Sequence, residues 1–289
     1  MLRQGKVLRI YNSLFEVLEE NSTARFICSK KKTIRNILVG DRVDFECVSQ
    51  QGNIIKVLPR TNSILKPAIA NIDLIIFIIA VKDPDYNFFQ IDTVLEYFNF
   101  RKIDVVIIIN KEDLAPAEVS NLLIYEKLGY KCIVETLKDL EEINMEHISQ
   151  IIKGKSIVLA GNSGVGKSTL AQTMCKESIR IGSISDKNKR GKQTTKQVSL
   201  YYLEKYMAYL ADTPGFSMID NAAITKERIL DFFKEFHEFS SNCKFSDCKH
   251  LNEPDCKVRG AVEKGQIAPS RYENYKKMLQ VVKPQWAQK

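Results

Sequence analysis

Long apolar runs are missing from this chain of 289 residues. The longest covers residues 74–81, far short of the roughly 20 residues that a membrane-spanning helix needs. The opening Met-Leu-Arg-Gln-Gly-Lys has no apolar signal-peptide core, so the expected setting is the cytoplasm, without a membrane partner. Histidine is scarce. Of the three, His147 and His237 fall on amphipathic helical stretches as surface or packing residues, and His250 keeps company with cysteines. Cys28, Cys47, Cys132 and Cys175 are scattered and read as reduced core residues rather than a disulfide framework. What remains, 44% hydrophobic and 27% charged, is the composition of a globular chain long enough for two or three domains.

The net charge of +8 is unevenly spread. Residues 1–66 carry 12 Lys/Arg against 6 Asp/Glu, and residues 257–289 carry 8 against 2, so the middle is acidic overall. Basic ends around a non-basic centre suit a polyanion held by the terminal domains. Two solvated basic surfaces would give the same count.

Residues 1–66 contain five strand-like pieces, at 5–11, 14–18, 24–28, 42–47 and 52–58, separated by Asn-Ser, Gly-Asp and Gln-Gly turns. Five short strands in such a span predict a β-barrel of the oligonucleotide-binding (OB) type, with an SH3-like barrel as the alternative. Lys30-Lys31-Lys32 falls in a loop of that barrel, as a binding element or a solvated one. Residues 59–67 read as a linker. Strands at 72–81 and 105–109 then flank an amphipathic helix at 88–99. A helix at 116–128, a strand at 132–134, a helix at 137–152 and a strand at 157–160 follow. A lysine-rich stretch at 187–196 precedes strands at 198–203 and 207–211. This alternation predicts a mostly parallel sheet with helices on both faces.

The strand at 157–160 breaks into Gly161-Asn162-Ser163-Gly164-Val165-Gly166-Lys167-Ser168-Thr169, a full G-x-x-x-x-G-K-[ST] match. Its glycines let backbone N–H groups converge on phosphate oxygens at a helix N-terminus. Lys167 would reach the β- and γ-phosphates, and the Ser168 hydroxyl would ligate Mg²⁺. An ordinary glycine-rich turn is the plain alternative. Asn110-Lys111-Glu112-Asp113 follows the 105–109 strand and fits N-K-x-D, in which Asp113 accepts from N1–H and the exocyclic amine of guanine. Adenine would leave those buried groups mispaired. Asp212-Thr213-Pro214-Gly215 fits D-x-x-G, with Asp212 reaching Mg²⁺ through water and the Gly215 N–H touching the γ-phosphate. Thr194-Thr195 lies between these motifs, where one hydroxyl, assigned to Thr195, would close onto Mg²⁺ in the triphosphate state. The order is permuted: N-K-x-D comes before the phosphate loop, and the phosphate loop before D-x-x-G.

Beyond residue 220, Cys243, Cys248, His250 and Cys256 lie within fourteen residues and can close a tetrahedral Cys₃His site around one structural Zn²⁺ per chain. Farther on, Arg271, Tyr272, Tyr275, Lys276 and Lys277 interleave cations with tyrosines. Phosphate contacts and base stacking on RNA would use that pattern, and so would a solvated amphipathic helix.

Together these motifs resemble the small-subunit-dependent GTPase A (RsgA) family along the whole chain. Val39-Gly40-Asp41-Arg42-Val43, Arg60-Thr61-Asn62 and Ala70-Asn71-Ile72-Asp73 add to the likeness. The resemblance implies three domains: an OB-type barrel at 1–66, a circularly permuted P-loop GTPase at 67–220 and a helical zinc-binding domain at 221–289. It implies a monomer that binds the small (30S) ribosomal subunit and its 16S-type rRNA late in maturation. It further implies hydrolysis of GTP to GDP and phosphate, stimulated by that subunit. Three positions depart from the family's usual pattern or bear on its chemistry. Gly191-Lys192-Gln193-Thr194-Thr195-Lys196 stands where the family has Gly-Arg-His-Thr-Thr-Thr, so Gln193 replaces its histidine. Glu135-Thr136 stands where the guanine pocket usually has Ser-Ala. Phe216, usual for the family, follows D-x-x-G where many GTPases carry a water-orienting glutamine, which predicts slow intrinsic hydrolysis.

Overall fold

The computed structural model describes residues 2–65, 67–138, 145–178, 198–212 and 229–281. The chain divides into two units, Met1–Ile78 with Glu135–Ser217 and Ile79–Val134 with Met218–Lys289.

The first unit begins with a closed barrel of β1 (Leu2–Tyr11), β2 (Leu14–Glu19), β3 (Arg25–Lys30), β4 (Arg42–Val48) and β5 (Gln51–Val57), in the order β1-β2-β3-β5-β4. All five expected strands form, because alternating apolar residues turn Val7, Val17, Phe26, Val43, Phe45 and Ile54 into one core. The pairing of β3 with β5 is parallel, Ile27 opposite Gln51 and Lys30 opposite Ile54. A parallel pair cannot be joined by a hairpin, so the barrel is a Greek key, as in OB-type folds. Lys30 ends β3 rather than sitting in the loop, where its Nζ donates to the Ile34 carbonyl at 2.5 Å, while Lys31 and Lys32 are exposed.

The stretch expected to be a linker is a structured clasp. Arg60 donates from Nε and Nη2 to the fully buried Asp41 carboxylate at 2.7 and 2.8 Å. Asn62 exchanges two hydrogen bonds with the Ile72 backbone, at 2.8 and 3.0 Å. A small hairpin of β6 (Ser63–Leu65) and β7 (Ala68–Ala70) lies between. Three-residue strands offer too little periodicity to be read from sequence.

From the clasp the chain enters β8 (Leu74–Ala80), every residue of which is buried, as a strand inside a covered sheet requires. In the first unit β8 pairs in parallel with β11 (Ser156–Ala160), and β11 with β13 (Ala208–Asp212); β12 (Ser199–Leu203) closes the edge antiparallel to β13. Helix α5 (Lys167–Ser178) packs against β11 and β12, and α4 (Met145–Ile152) precedes β11 in the chain. The helix expected from residue 137 differs: Leu137 is buried but not helical, its apolar side chain serving the core rather than a helix face. Met207, expected in β13, instead takes φ +50° in the tight turn joining β12 to β13. Among the scattered cysteines Cys28 is buried in the barrel, whereas Cys47, Cys132 and Cys175 are only half-buried.

The second unit contains α1 (Phe88–Phe100), β9 (Asp104–Asn110), α2 (Pro116–Leu122), α3 (Ile124–Lys127) and β10 (Lys131–Val134), with β9 and β10 parallel. One helix was expected over 116–128; it is broken at Leu123, whose N–H still bonds to Val119. The unit continues with α6 (Ile229–Phe232), α7 (Lys234–Ser240), α8 (Lys257–Glu263) and α9 (Pro269–Val281). No helix among the described residues is long and apolar enough to cross a membrane.

Candidate nucleotide and metal sites

In the first unit β11 delivers the chain into residues 161–169, and α5 starts at Lys167. Gly161, Gly164 and Gly166 all have positive φ, of 133°, 81° and 107°. A Cβ on Gly161 would lie 2.2 Å from the Ile78 carbonyl oxygen, so the loop can form only because that position is bare. Val165 is buried and anchors the loop, while Ser168 is exposed on the first turn of α5. Lys167 Nζ donates to the carbonyls of Gly161 at 2.8 Å and Asn162 at 2.6 Å, which holds the ammonium over the loop. Burial lowers the pKa of that ammonium from its ordinary value. Asn162 and Thr169 are half-buried, and Ser163 and Gly164 are exposed. Backbone amides, a helix N-terminus, a lysine and an open hydroxyl are the groups that a phosphate-binding site uses.

Asp212 ends β13, exposed, with its Oδ2 accepting from Tyr201 at 3.3 Å. Thr194, Thr195, Gln193, Gly215 and Phe216 lie outside the described residues.

In the second unit β9 ends on the buried Asn110, whose Oδ1 accepts from the Lys111 N–H at 2.7 Å. That side-chain bond turns the chain sharply; Lys111 takes φ +63°, and Glu112 and Asp113 emerge exposed on a short 3₁₀ turn. Lys111 Nζ donates to the Asp83 carbonyl, tying the motif to the loop after β8. The Val81 N–H bonds to the Asn110 carbonyl at 3.0 Å and closes the same corner. Glu135 and Thr136 are half-buried just past β10.

Cys243, Cys248, His250 and Cys256 come together with all ligand atoms within 4.8 Å of one another. His250 Nδ1 lies 3.7 Å from Cys243 Sγ and 3.5 Å from Cys256 Sγ. A tetrahedral zinc sets such atoms roughly 3.5–3.8 Å apart, so the donor set and spacing are compatible with that ion. Burial lowers the His250 pKa, favouring the neutral imidazole that ligates. Burial, then crowding by Cys256 and Cys243, pushes the Cys248 thiol up to about 12. Such packing of thiols calls for protons or a cation.

The loop is built around a residue that sequence reasoning missed. Glu253 accepts three backbone N–H groups, from Lys249 and Leu251 at 2.8 Å and Asn252 at 3.1 Å. Those bonds hold His250 at φ +58°, a left-handed conformation uncommon outside glycine that histidine adopts more readily than most residues. A glutamate inside the His250-to-Cys256 interval was the available signal. The tyrosines after Cys256 correct an expectation. Tyr272 and Tyr275 are buried, and their hydroxyls donate to the carbonyls of His250 at 2.7 Å and Lys249 at 2.8 Å. They support the metal loop and are not free to stack on bases.

Comparison with known proteins agrees with this geometry. A family model described as RsgA GTPase matches residues 57–222. A small ribosomal subunit biogenesis GTPase RsgA from Lactobacillus gasseri is 36% identical, over 96% of this chain and 95% of its own. The same-named protein of Alkaliphilus metalliredigens is 38% identical, over 90% and 89%. The crystal structure of YjeQ from Thermotoga maritima superposes with a TM-score of 0.81 at 34% identity, covering 97% of this chain and 98% of the other. YloQ, whose crystal structure is described as a circularly permuted GTPase, gives 0.79 at 27% identity, over 99% and 97%. The likeness spans the phosphate loop, the N-K-x-D turn and the cysteine–histidine cluster of this chain, and this chain belongs to the RsgA GTPase family.

Proposed function

We propose that this protein is a GTPase of small-subunit biogenesis that hydrolyses GTP on the 30S subunit late in its assembly, gripping 16S-type rRNA with its two ends. The observation that carries the reading is that one chain holds both a complete phosphate loop and an N-K-x-D turn, each at the C-terminal end of a parallel strand, the position where α/β sheets bind ligands. Full-length likeness to proteins named small ribosomal subunit biogenesis GTPases supports the choice of partner.

In this reading the amides of residues 161–169 cradle the phosphates, and Lys167 leaves its carbonyl partners to neutralise charge on the β- and γ-oxygens. Asn110 shapes the turn that presents Asp113 to the guanine edge, and Lys111 steadies it through Asp83. Ser168 and Thr195 would hold magnesium, with Asp212 one water away and the Gly215 N–H on the γ-phosphate. A magnesium ion held by these residues would supply Lewis-acid neutralisation of the charge that develops on the phosphates. Cys243, Cys248, His250 and Cys256 would hold one zinc with no position left for substrate, a structural role.

The division into barrel (1–66), GTPase (67–220) and zinc domain (221–289) serves this reading as a division of labour. Exposed Lys31, Lys32, Arg35 and Lys56 on the barrel supply phosphate contacts at one end. Exposed Lys244, Lys249, Lys257 and Lys264 around the metal loop supply them at the other. The protein acts as a cytoplasmic monomer. Phosphate release from GTP, measured alone, with purified small subunits and with large subunits, tests the proposal. Slow turnover accelerated by small subunits alone is the expected result. Turnover unchanged by small subunits would make GTP a ligand of an RNA-binding module rather than a substrate.

A further inference from the structure

The second unit buries a charged cluster whose members are neither metal ligands nor nucleotide-motif residues. Asp92, on α1, is wholly buried. Its Oδ1 accepts from Arg271 Nη1 at 2.5 Å and from the Tyr125 hydroxyl at 2.8 Å, and its Oδ2 accepts from Asn274 Nδ2 at 2.5 Å. Arg271 and Asn274 belong to α9 and Tyr125 to α3. Arg271 also donates to both oxygens of Glu235 on α7, at 2.7 and 3.3 Å, and lies over the rings of Phe232 and Phe233. Burial pushes the Asp92 carboxyl up, opposed first by the charge of Arg271.

A buried ion pair is a poor source of net stability, because desolvating both charges costs about what pairing returns. What it supplies is fixed geometry: separating the partners strands a charge in the interior. Here that geometry ties three elements together. On one side α9 also carries Tyr272 and Tyr275, which hold the backbone at His250 and Lys249. On the other, the Tyr125 ring meets Phe88 at 6.4 Å, and Phe88 meets Tyr86 edge-on at 5.2 Å. Tyr86 donates to Glu118 on α2 at 2.6 Å, just past the turn that carries Asp113. A continuous series of contacts therefore joins the metal loop to the guanine-reading segment.

We propose that the Asp92–Arg271 pin couples zinc occupancy to guanine-nucleotide affinity, which makes Arg271 a positioning residue for base recognition. The coupling rests on the GTPase reading above. Metal closure fixes the His250 backbone, Tyr272 transfers that order to α9, and Arg271 with Asn274 holds Asp92 and, through it, Tyr125. By linkage, a bound guanine nucleotide must tighten zinc binding by the same factor that zinc tightens the nucleotide.

The test uses full-length wild type and Arg271→Lys, each zinc-loaded and after chelation. Affinities are measured for fluorescent GDP and ADP analogues, with circular dichroism as a check on folding. Stripping zinc from wild type should weaken GDP binding roughly fivefold or more. Arg271→Lys should weaken it with zinc bound, and stripping should then add little. The GDP-over-ADP preference should fall in step, whereas a general loss of structure would lower both affinities alike. GDP should also slow zinc release to a chromogenic chelator in wild type and not in the variant. Tyr125→Phe, which deletes only one donor to Asp92, should shift the same readouts by less and stands in if Arg271→Lys does not fold. Unchanged GDP affinity on zinc removal from wild type would overturn the coupling. Independent, additive losses from stripping and from Arg271→Lys would overturn it too. Zinc-loaded wild type with no preference for GDP over ADP would instead sink the functional reading, and the coupling with it.

Discussion

The Asn71 side-chain amide donates to the Gly40 carbonyl at 3.0 Å, while its oxygen accepts from the Thr61 N–H at 2.9 Å. One residue thus fastens a barrel turn to the segment that enters β8. Gly40 has φ +89°, and a Cβ there would sit 2.1 Å from the Ala70 carbonyl oxygen, an atom that cannot swing away. Gly40→Ala should therefore cost roughly 2–4 kcal/mol, from left-handed strain plus the clash. Thermal unfolding followed by circular dichroism should show a midpoint several degrees lower. A midpoint within about a degree of wild type would mean that the clasp yields.

This clasp marks where the sequence was legible and where it was not. Val39-Gly40-Asp41, Arg60-Thr61-Asn62 and Asn71 stand out as motif residues, yet nothing in a linear reading says that they meet. Their partners are long-range backbone groups, and the stretch between them reads as linker. The barrel strands were legible because their alternation is local. The phosphate loop and the cysteine–histidine cluster were legible because each packs its chemistry into a short span. Asp92 and Arg271 were hidden for the opposite reason: charged residues on helices read as solvated, and only packing of α1 against α9 shows them buried. Tyr272 and Tyr275 misled because their hydroxyls find backbone carbonyls that periodicity cannot reveal.

Glu253 offers a test of the metal loop. Its two oxygens serve three N–H donors, so Glu253→Ala leaves those amides without their acceptor and frees His250 from its left-handed backbone. Zinc release to a competing chelator should quicken by roughly tenfold, the lower end of the usual effect of supporting residues on metal affinity. Glu253→Gln should fall between, since its NH₂ group must face at least one of the same donors. Release at the wild-type rate from both variants would show that the ligands alone set the loop.

Lys167 is held by two carbonyls of its own loop, so phosphate must draw the ammonium away from Gly161 and Asn162. A bond to a charged group contributes about 1.5–3 kcal/mol, which sets the expected loss of GTP affinity in Lys167→Met at roughly 10- to 100-fold. Turnover should be lost even at saturating GTP, because charge on the transferring phosphoryl group has lost its neutralising cation. Equilibrium binding and single-turnover phosphate release separate the two effects. Turnover retained at saturation would remove Lys167 from the catalytic set.

Base choice can be reversed without touching the phosphate loop. Asp113 is exposed on the turn after β9, whereas Asn110 is buried, so a near-isosteric replacement of Asp113 should leave the fold intact. In the proposed site its carboxylate would accept two N–H donors from guanine but only one from xanthine, which carries a carbonyl where guanine has its amine. Asp113→Asn supplies an NH₂ donor for that carbonyl and loses one acceptor for guanine. GTP affinity should drop by an order of magnitude or more, since a mispaired buried polar group costs about 1–3 kcal/mol. Xanthosine triphosphate affinity should rise to replace it, and small subunits should then stimulate hydrolysis of the xanthine nucleotide. Competition binding with GTP, xanthosine triphosphate and ATP measures the switch. A variant that kept its preference for GTP would show that residues other than Asp113 read the base, and the N-K-x-D turn would lose its assigned role.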